Sequence, residues 1–208
     1  MARYARLGIY GGTFDPPHIG HLHAANAFLQ VCDLDALYIV PTGTPPHKDP
    51  SLASAPHMRM DMVRLAFGDA AYADDRIHIS DFEQTKEGKS YTYDTLCHFK
   101  SEADCLYLLC GEDMFLTLTN WYRAEDIFSL AEIVCFRRNE DFAQVTRIEE
   151  AARHYESAFG AHIHLPDFSP LSISSTGIRR ALQCGQSTEG CLTTAIQTYI
   201  KEHDLYKL

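Results

Sequence analysis

The chain has 208 residues, 46% hydrophobic and 22% charged, with 12 glycines and 9 prolines, proportions that exclude disorder and collagen-like repeats. Lys and Arg number 18 against 28 Asp and Glu, and the formal net charge of -10 opposes attraction to nucleic acid or an anionic membrane. At this length one compact domain over residues 1–208 is expected. No apolar run approaches the ~20 residues of a spanning helix, and the start MARYARLGIYGG lacks a secretory apolar region, so a cytoplasmic protein is expected. Cys32, Cys97, Cys105, Cys110, Cys135, Cys184 and Cys191 are scattered and never form CxxC, a pattern of reduced, packed thiols rather than a disulfide framework or zinc site. The histidines show no metal-ligand spacing, and no protein-held metal is expected.

In chain order, LGIYGG (7–12) reads as a buried strand entering a glycine turn, and DPPHIGHLHAANAFLQV (15–31) then switches to helical apolar spacing. A strand ALYIV (36–40) runs into a long loop from Pro41 to Pro56, followed by a helix over Pro56–Phe67 and a strand RIHIS (76–80). Further helices are predicted over Tyr93–Lys100, Asn120–Leu130, Ile148–Ala158, Thr176–Cys184 and Cys191–His203, with strands CLYLLC (105–110), EIVCF (132–136) and HIHL (162–165) between them. This alternation predicts an α/β fold, a doubly wound, Rossmann-like parallel sheet with helices on both faces. Ligands of such sheets bind beyond the carboxyl ends of the strands, so Gly11–His21, Pro41–Lys48 and Gly111–Trp121 are expected to converge.

Two motifs carry chemistry. In GGTFDPPHIGH (11–21) the glycines let backbone approach a ligand, and Asp15, Pro16 and Pro17 turn the chain into a helix whose amides point at an anion. His18 and His21, three apart, are expected on one face of the first turn, donating to the same phosphate oxygens, with Gly20 leaving room for a phosphate or sugar. The glycine spacing is not GxGxxG, which argues against a redox dinucleotide domain. In ISSTGIRR (173–180), Ser174, Ser175 and Thr176 enter a helix and Arg179 reaches back from its first turn. Alone this is a helix cap; paired with the first motif it suits a triphosphate held between two helix starts.

Together, GGTFDPPHIGH and ISSTGIR resemble the nucleotidylyltransferase superfamily, with its (H/T)xGH and ISSTxxR motifs on a Rossmann-like fold. PTGTPPHK (41–48), SYTYDTL (90–96) and GEDMFLTLTNW (111–121), with Arg137 after a strand, narrow the resemblance to bacterial nicotinate-mononucleotide adenylyltransferases. Glu112, and Arg138 and Asn139 after the arginine, depart from that pattern. The resemblance implies AMP transfer from ATP to nicotinate mononucleotide, giving deamido-NAD and pyrophosphate, with no nucleic acid or membrane partner and a homo-oligomer left open. The substrate phosphate is itself the nucleophile, so no catalytic triad is required. His18 and His21 would donate to the α-phosphate, and Arg179 with Mg²⁺ would hold the pyrophosphate.

By the same resemblance, Gly11, Gly12, Thr13, Phe14, Gly20, Gly111, Asp113, Ser174, Ser175 and Thr176 would line the ATP site. His47, Lys48, Tyr91, Thr92 and Trp121 would serve the mononucleotide: Lys48 as local positive charge, Trp121 by ring stacking, and the helix start at Tyr91–Thr92 by binding the nicotinate carboxylate. Each has an ordinary alternative, namely core packing for Phe14 and Trp121, solvation for Lys48, turn chemistry for Asp113 and capping for Tyr91–Thr92. Arg59 could pair with a phosphate or a neighbouring acid. The related chemistries left open are transfer to nicotinamide mononucleotide or phosphopantetheine, and a noncatalytic nucleotide sensor.

Overall fold

The computed structural model describes residues 4–44, 53–69, 71–136, 142–168 and 171–207. The expected roles of His47 and Lys48, and the stretch with Arg137, Arg138 and Asn139, lie outside the described residues. Six strands form one sheet: β1 (Tyr4–Gly12), β2 (Ala36–Pro41), β3 (Ile77–Ile79), β4 (Ala103–Cys110), β5 (Ala131–Cys135) and β6 (Ile163–His164), in the order β3-β2-β1-β4-β5-β6. β4 runs parallel to β1 and β5, and β6 parallel to β5. This is the predicted Rossmann-like sheet, and its strand order reverses between β1 and β4, whose carboxyl ends carry Gly11 and Gly111.

The helices are α1 (Ile19–Val31), α2 (Pro56–Phe67), α3 (Phe82–Thr85), α4 (Thr92–Phe99), α5 (Glu112–Phe115), α6 (Ala124–Leu130), α7 (Phe142–Phe159), α8 (Ser175–Gln183) and α9 (Thr194–Glu202). β1 begins at Tyr4, ahead of the predicted Leu7, because Tyr4 and Arg6 pair with Ala103 and Cys105 of β4, and the exposed Arg6 also bonds to Asp35. Its N–H donates to Asp35 Oδ2 at 2.8 Å and its carbonyl accepts the Asp35 N–H at 3.0 Å. The helix predicted over Asn120–Leu130 is broken: Leu118–Asn120 is a 3-10 turn, Trp121 is extended, and Arg123 takes the left-handed conformation (φ 56°, ψ 47°) before α6 begins. The helix predicted from Cys191 starts later, where the Thr193 hydroxyl accepts the N–H of Ile196 as a cap.

By compactness the chain divides into two units, Met1–Gly11 with Ala27–Tyr38 and Tyr91–Pro170, and Gly12–Asn26 with Ile39–Ser90 and Leu171–Leu208. In the first unit Leu7, Ile9, Phe28, Leu106 and Ile133 are buried, and the Tyr155 hydroxyl donates to the Phe115 carbonyl at 2.8 Å, holding α7 against α5. In the second, α2 buries Met62, Val63 and Ala66 and packs on α9, where Ile196 and Ile200 are buried. The Tyr199 hydroxyl reaches Asp61 at 3.1 Å across that pair. Among the described residues no helix is long and apolar enough to cross a membrane.

Gly8 shows how tightly β1 is packed: a Cβ there would stand 2.5 Å from Leu34 Cδ1, 2.9 Å from Phe28 Cε1 and 3.0 Å from Leu37 Cδ1. Gly8→Ala is expected to destabilise by about 1–3 kcal/mol through overpacking, read as a lowered melting temperature in thermal unfolding. An unchanged melting temperature would mean that α1 and β2 yield freely at this point.

Candidate active site

In the second unit the chain leaves β1 through Thr13, Phe14 and Asp15, passes a cis Asp15–Pro16 peptide and enters α1 at Ile19, whose N–H donates to the Cys191 carbonyl at 3.0 Å. His18 therefore precedes the helix instead of sharing its first turn with His21. Its backbone N–H donates to His21 Nδ1 at 3.1 Å, and the two rings stack with centroids 3.7 Å apart and planes at 23°. The two rings thus share one face as a layered pair, with His18 just outside the first turn. Because Nδ1 of His21 accepts, a neutral His21 carries its proton on Nε2 and can donate there. His18 Nδ1 is buried with no hydrogen-bond partner among the described residues.

Burial lowers the His18 pKa to about 4, opposed by its backbone hydrogen bond, and burial followed by the neighbouring His18 holds His21 well below its ordinary value. Gly20 is explained by the same stack, since a Cβ there would lie 3.0 Å from His18 Nδ1 and 3.1 Å from its Cε1. Its absent side chain makes room for the imidazole before any ligand is considered. Phe14 is 2% exposed, edge-on to His21 (5.0 Å, 67°) and to Phe67 (6.4 Å, 87°). It is a core ring that supports His21, the alternative left open by the sequence.

Asp15 ties the two motifs together. It is 3% exposed, and its Oδ1 accepts the Tyr206 hydroxyl at 2.6 Å while its Oδ2 accepts the Ser54 N–H at 3.2 Å. Arg179 Nη1 donates to the Asp15 carbonyl at 2.6 Å, and Ser175 Oγ donates to the Pro16 carbonyl at 2.9 Å. Ser174 caps α8 by accepting the Gly177 N–H at 3.1 Å, and Arg179 Nη2 donates to Thr176 Oγ1 at 3.2 Å. Burial and the bond to Asp15 push the Tyr206 phenol pKa up, which keeps it a donor.

Arg59 is 1% exposed, and its hydrogen bonds go to backbone carbonyls. Its Nη1 donates to the Thr13 carbonyl at 2.9 Å, Nη2 to the Gly43 carbonyl at 3.0 Å and Nε to the Ser54 carbonyl at 3.1 Å. Burial lowers its pKa, opposed by the nearby carboxylates of Asp15 and Glu83. A Cβ on Gly43 would lie 2.0 Å from the Glu83 carbonyl oxygen, so the strand exit after β2 must be glycine there. With Thr42 N–H donating to the Gly12 carbonyl at 2.8 Å, the first two of the three expected loops do meet. Sequence reasoning missed Arg59 and Tyr206 as organisers. The signal for Arg59 was its place on the α2 face that buries Met62, Val63 and Ala66, spaced i+3, i+4 and i+7 from it.

The third loop belongs to the first unit. Gly111 is the extended residue before α5, Asp113 is exposed, and a Cβ on Gly11 or on Gly111 would meet nothing within 4 Å. Trp121 is half-buried, outside the core. Tyr91 stands before α4 with no side chain capping the helix start at Thr92, and its ring packs at a tilt against Tyr122, which brings the Trp121 segment against that start.

The sequence model of the cytidylyltransferase-like family matches residues 9–181, a span that takes in both motifs. A "Probable nicotinate-nucleotide adenylyltransferase" of Clostridium botulinum (strain Eklund 17B / Type B) is 35% identical over 202 residues, covering 97% of this chain and 98% of its own. Its namesake in Desulfitobacterium hafniense (strain Y51) is 35% identical over 205 residues, covering 98% of this chain and 96% of its own. The chain belongs to the nicotinate-nucleotide adenylyltransferase family. The solved structure of Plasmodium falciparum nicotinic acid mononucleotide adenylyltransferase complexed with NaAD has the same fold, with a TM-score of 0.76 at 18% identity over 97% of both chains.

For this family member the buried histidines set an acid limit. Unfolded histidine titrates near ~6.5, whereas His18 in the fold titrates at about 4, so between these values the unfolded chain binds more protons than the folded one. The contribution of His18 to stability is therefore fully present above about pH 6.5 and is lost as the pH falls toward about 4, with His21 extending the loss lower. Chemical denaturation across this range is expected to show that fall, with a shallower slope in His18→Gln. An equal slope in both proteins would refute the assignment of the effect to the stacked pair.

Proposed function

We propose that this chain transfers AMP from ATP to nicotinate mononucleotide, releasing pyrophosphate and deamido-NAD. The observation that carries the reading is the His18–His21 pair, in a member of this family: His18 occupies Nδ1 of His21 and so presents Nε2–H of a neutral ring as a fixed donor. In the reaction an oxygen of the mononucleotide phosphate forms a bond to the α-phosphorus of ATP, and the bond from that phosphorus to the bridging oxygen breaks. The nucleophile is already an anion, so no side chain needs to remove a proton. What the protein must supply is position and hydrogen-bond donors aimed at the charge that grows on the α-phosphate oxygens.

His21 is the donor to that phosphate, His18 backs it, and Arg179 with the α8 start holds the leaving phosphates. The uncapped α4 start at Thr92 receives the nicotinate carboxylate, and Trp121 stacks on the pyridine ring. Mg²⁺ bound with ATP would supply neutralisation of the charge on the departing pyrophosphate, beside Arg179.

Pyrophosphate release with ATP and either nicotinate or nicotinamide mononucleotide tests the substrate. An acid-over-amide preference of at least ~100-fold in kcat/KM is expected, because the amide would leave an NH₂ facing donors and loses charge assistance. A ratio near one would overturn the nicotinate assignment. His21→Ala is expected to lower kcat by ~100 to 1,000-fold with the fold retained, and near-normal turnover would remove His21 from the phosphate. Arg179→Ala is expected to weaken ATP binding more than mononucleotide binding, measured by calorimetry; equal affinities would leave α8 a structural cap.

A further inference from the structure

The two side chains that follow Trp121 grip the two residues that flank Thr92. Tyr122 lies on Tyr91 with ring centroids 4.6 Å apart and planes at 36°, and meets Tyr93 edge-on at 6.1 Å and 77°. Arg123 donates from Nη1 to the Tyr93 phenol oxygen at 2.7 Å, and its guanidinium carbon lies 4.1 Å from the centre of the same ring. Its Nε is fixed in turn by Asp126 at 2.7 Å. The backbone takes up the left-handed conformation at Arg123, which a residue with a Cβ seldom adopts, in the same step that turns the guanidinium to Tyr93.

Core formation does not account for this arrangement. Tyr122 is 52% exposed, Arg123 is exposed, and Tyr91 and Tyr93 are only half-buried. Aromatic and cation–π pairs of this geometry are attractive at a surface, and what these join is one short segment to another. On one side is the extended Trp121, whose N–H is anchored to the Leu118 carbonyl at 3.0 Å. On the other is the start of α4, which no side chain caps.

We propose that Tyr122 and Arg123 are positioning residues, a clasp that fixes Trp121 relative to Thr92 so that ring stacking and carboxylate recognition of the mononucleotide are set together. This rests on the substrate reading above. With the clasp loosened, the stacking ring and the amide donors both remain but out of register. The pyridine ring can then stack without bringing its carboxylate to the helix start. Binding weakens for the mononucleotide alone, and discrimination between acid and amide narrows.

Trp121 is the only tryptophan, so its fluorescence reports directly on the segment in question. In the full-length chain, Tyr122→Ala is expected to shift Trp121 emission to the red and to raise its quenching by acrylamide. The same variant is expected to raise KM for nicotinate mononucleotide ~10-fold and to narrow the acid-over-amide ratio by a similar factor, with KM for ATP unchanged within about twofold. Tyr122→Phe is expected to match the parent in all of these, because the observed contacts are made by the ring. Arg123→Ala is expected to act in the direction of Tyr122→Ala. Unchanged Trp121 emission and quenching in Tyr122→Ala would overturn the clasp, as would equal rises in both KM values or a lower melting temperature with KM intact. If the parent chain ignores both mononucleotides, the substrate reading falls. The quenching comparison between Tyr122→Ala and Tyr122→Phe still decides whether the clasp holds Trp121.

Discussion

A carboxyl group taken out of water loses its hydration and must find hydrogen bonds in the protein, or the fold is destabilised by several kcal/mol. Asp15 meets that demand with donors from distant parts of the sequence: Ser54 before α2, and Tyr206 close to the carboxyl end, 191 positions away. Its backbone carbonyl takes Arg179 from α8. Arg59 imposes the complementary demand, a buried guanidinium that must spend its donors, and it spends them on Thr13, Gly43 and Ser54. The turn that carries His18 therefore cannot take its shape from the local sequence alone. It is shaped by a buried acid and a buried base whose partners come from four segments of the chain.

The histidine pair follows from the same confinement. Two protonated rings with centroids 3.7 Å apart would repel strongly in a site that burial has dried, whereas two neutral rings stack favourably. Burial and stacking thus act in one direction, and the His18 N–H on Nδ1 fixes which nitrogen of His21 is the donor. A neutral, oriented donor suits a reaction whose nucleophile needs no base and whose barrier lies in accumulating negative charge. Phe14 and Gly20 belong to this arrangement as supports: one holds the His21 ring edge-on and the other leaves the volume that the His18 ring fills.

The sheet and most helices were legible because burial writes itself into apolar spacing. LGIYGG, ALYIV and CLYLLC became β1, β2 and β4 with small changes at their ends, and Pro56–Phe67 became α2 at its predicted limits. The motifs, too, announced themselves, one as a glycine turn and the other as a run of hydroxyl residues, each entering a helix. What the sequence hid were features set by partners far away or by single backbone angles. Nothing around Tyr206 indicates that its hydroxyl ends on Asp15, and nothing in TNWYRAED indicates that Arg123 will take a positive φ and break one helix into a 3-10 turn and α6. HxxH spacing implies two donors within one helical turn. Pro16 and Pro17 instead delay the helix to Ile19, and the histidine that falls outside it can offer its backbone N–H to the other.

The ISSTGIRR motif shows why hydrogen-bond direction matters when residues are assigned to an anion. Ser174, Ser175, Thr176 and Arg179 each already have a partner, and the partners differ in what they leave available. Ser175 spends its single hydroxyl proton on the Pro16 carbonyl, so only lone pairs remain, and lone pairs cannot bind phosphate. Ser174 and Thr176 are used as acceptors, by the Gly177 N–H and by Arg179, so each retains its proton for a ligand. Arg179 commits one N–H to Asp15 and one to Thr176, and a guanidinium has five. The side-chain donors left at this helix start are therefore the hydroxyls of Ser174 and Thr176 and the remaining N–H groups of Arg179, beside the backbone N–H groups of the helix start. Ser175 fastens α8 to the turn that carries the histidines.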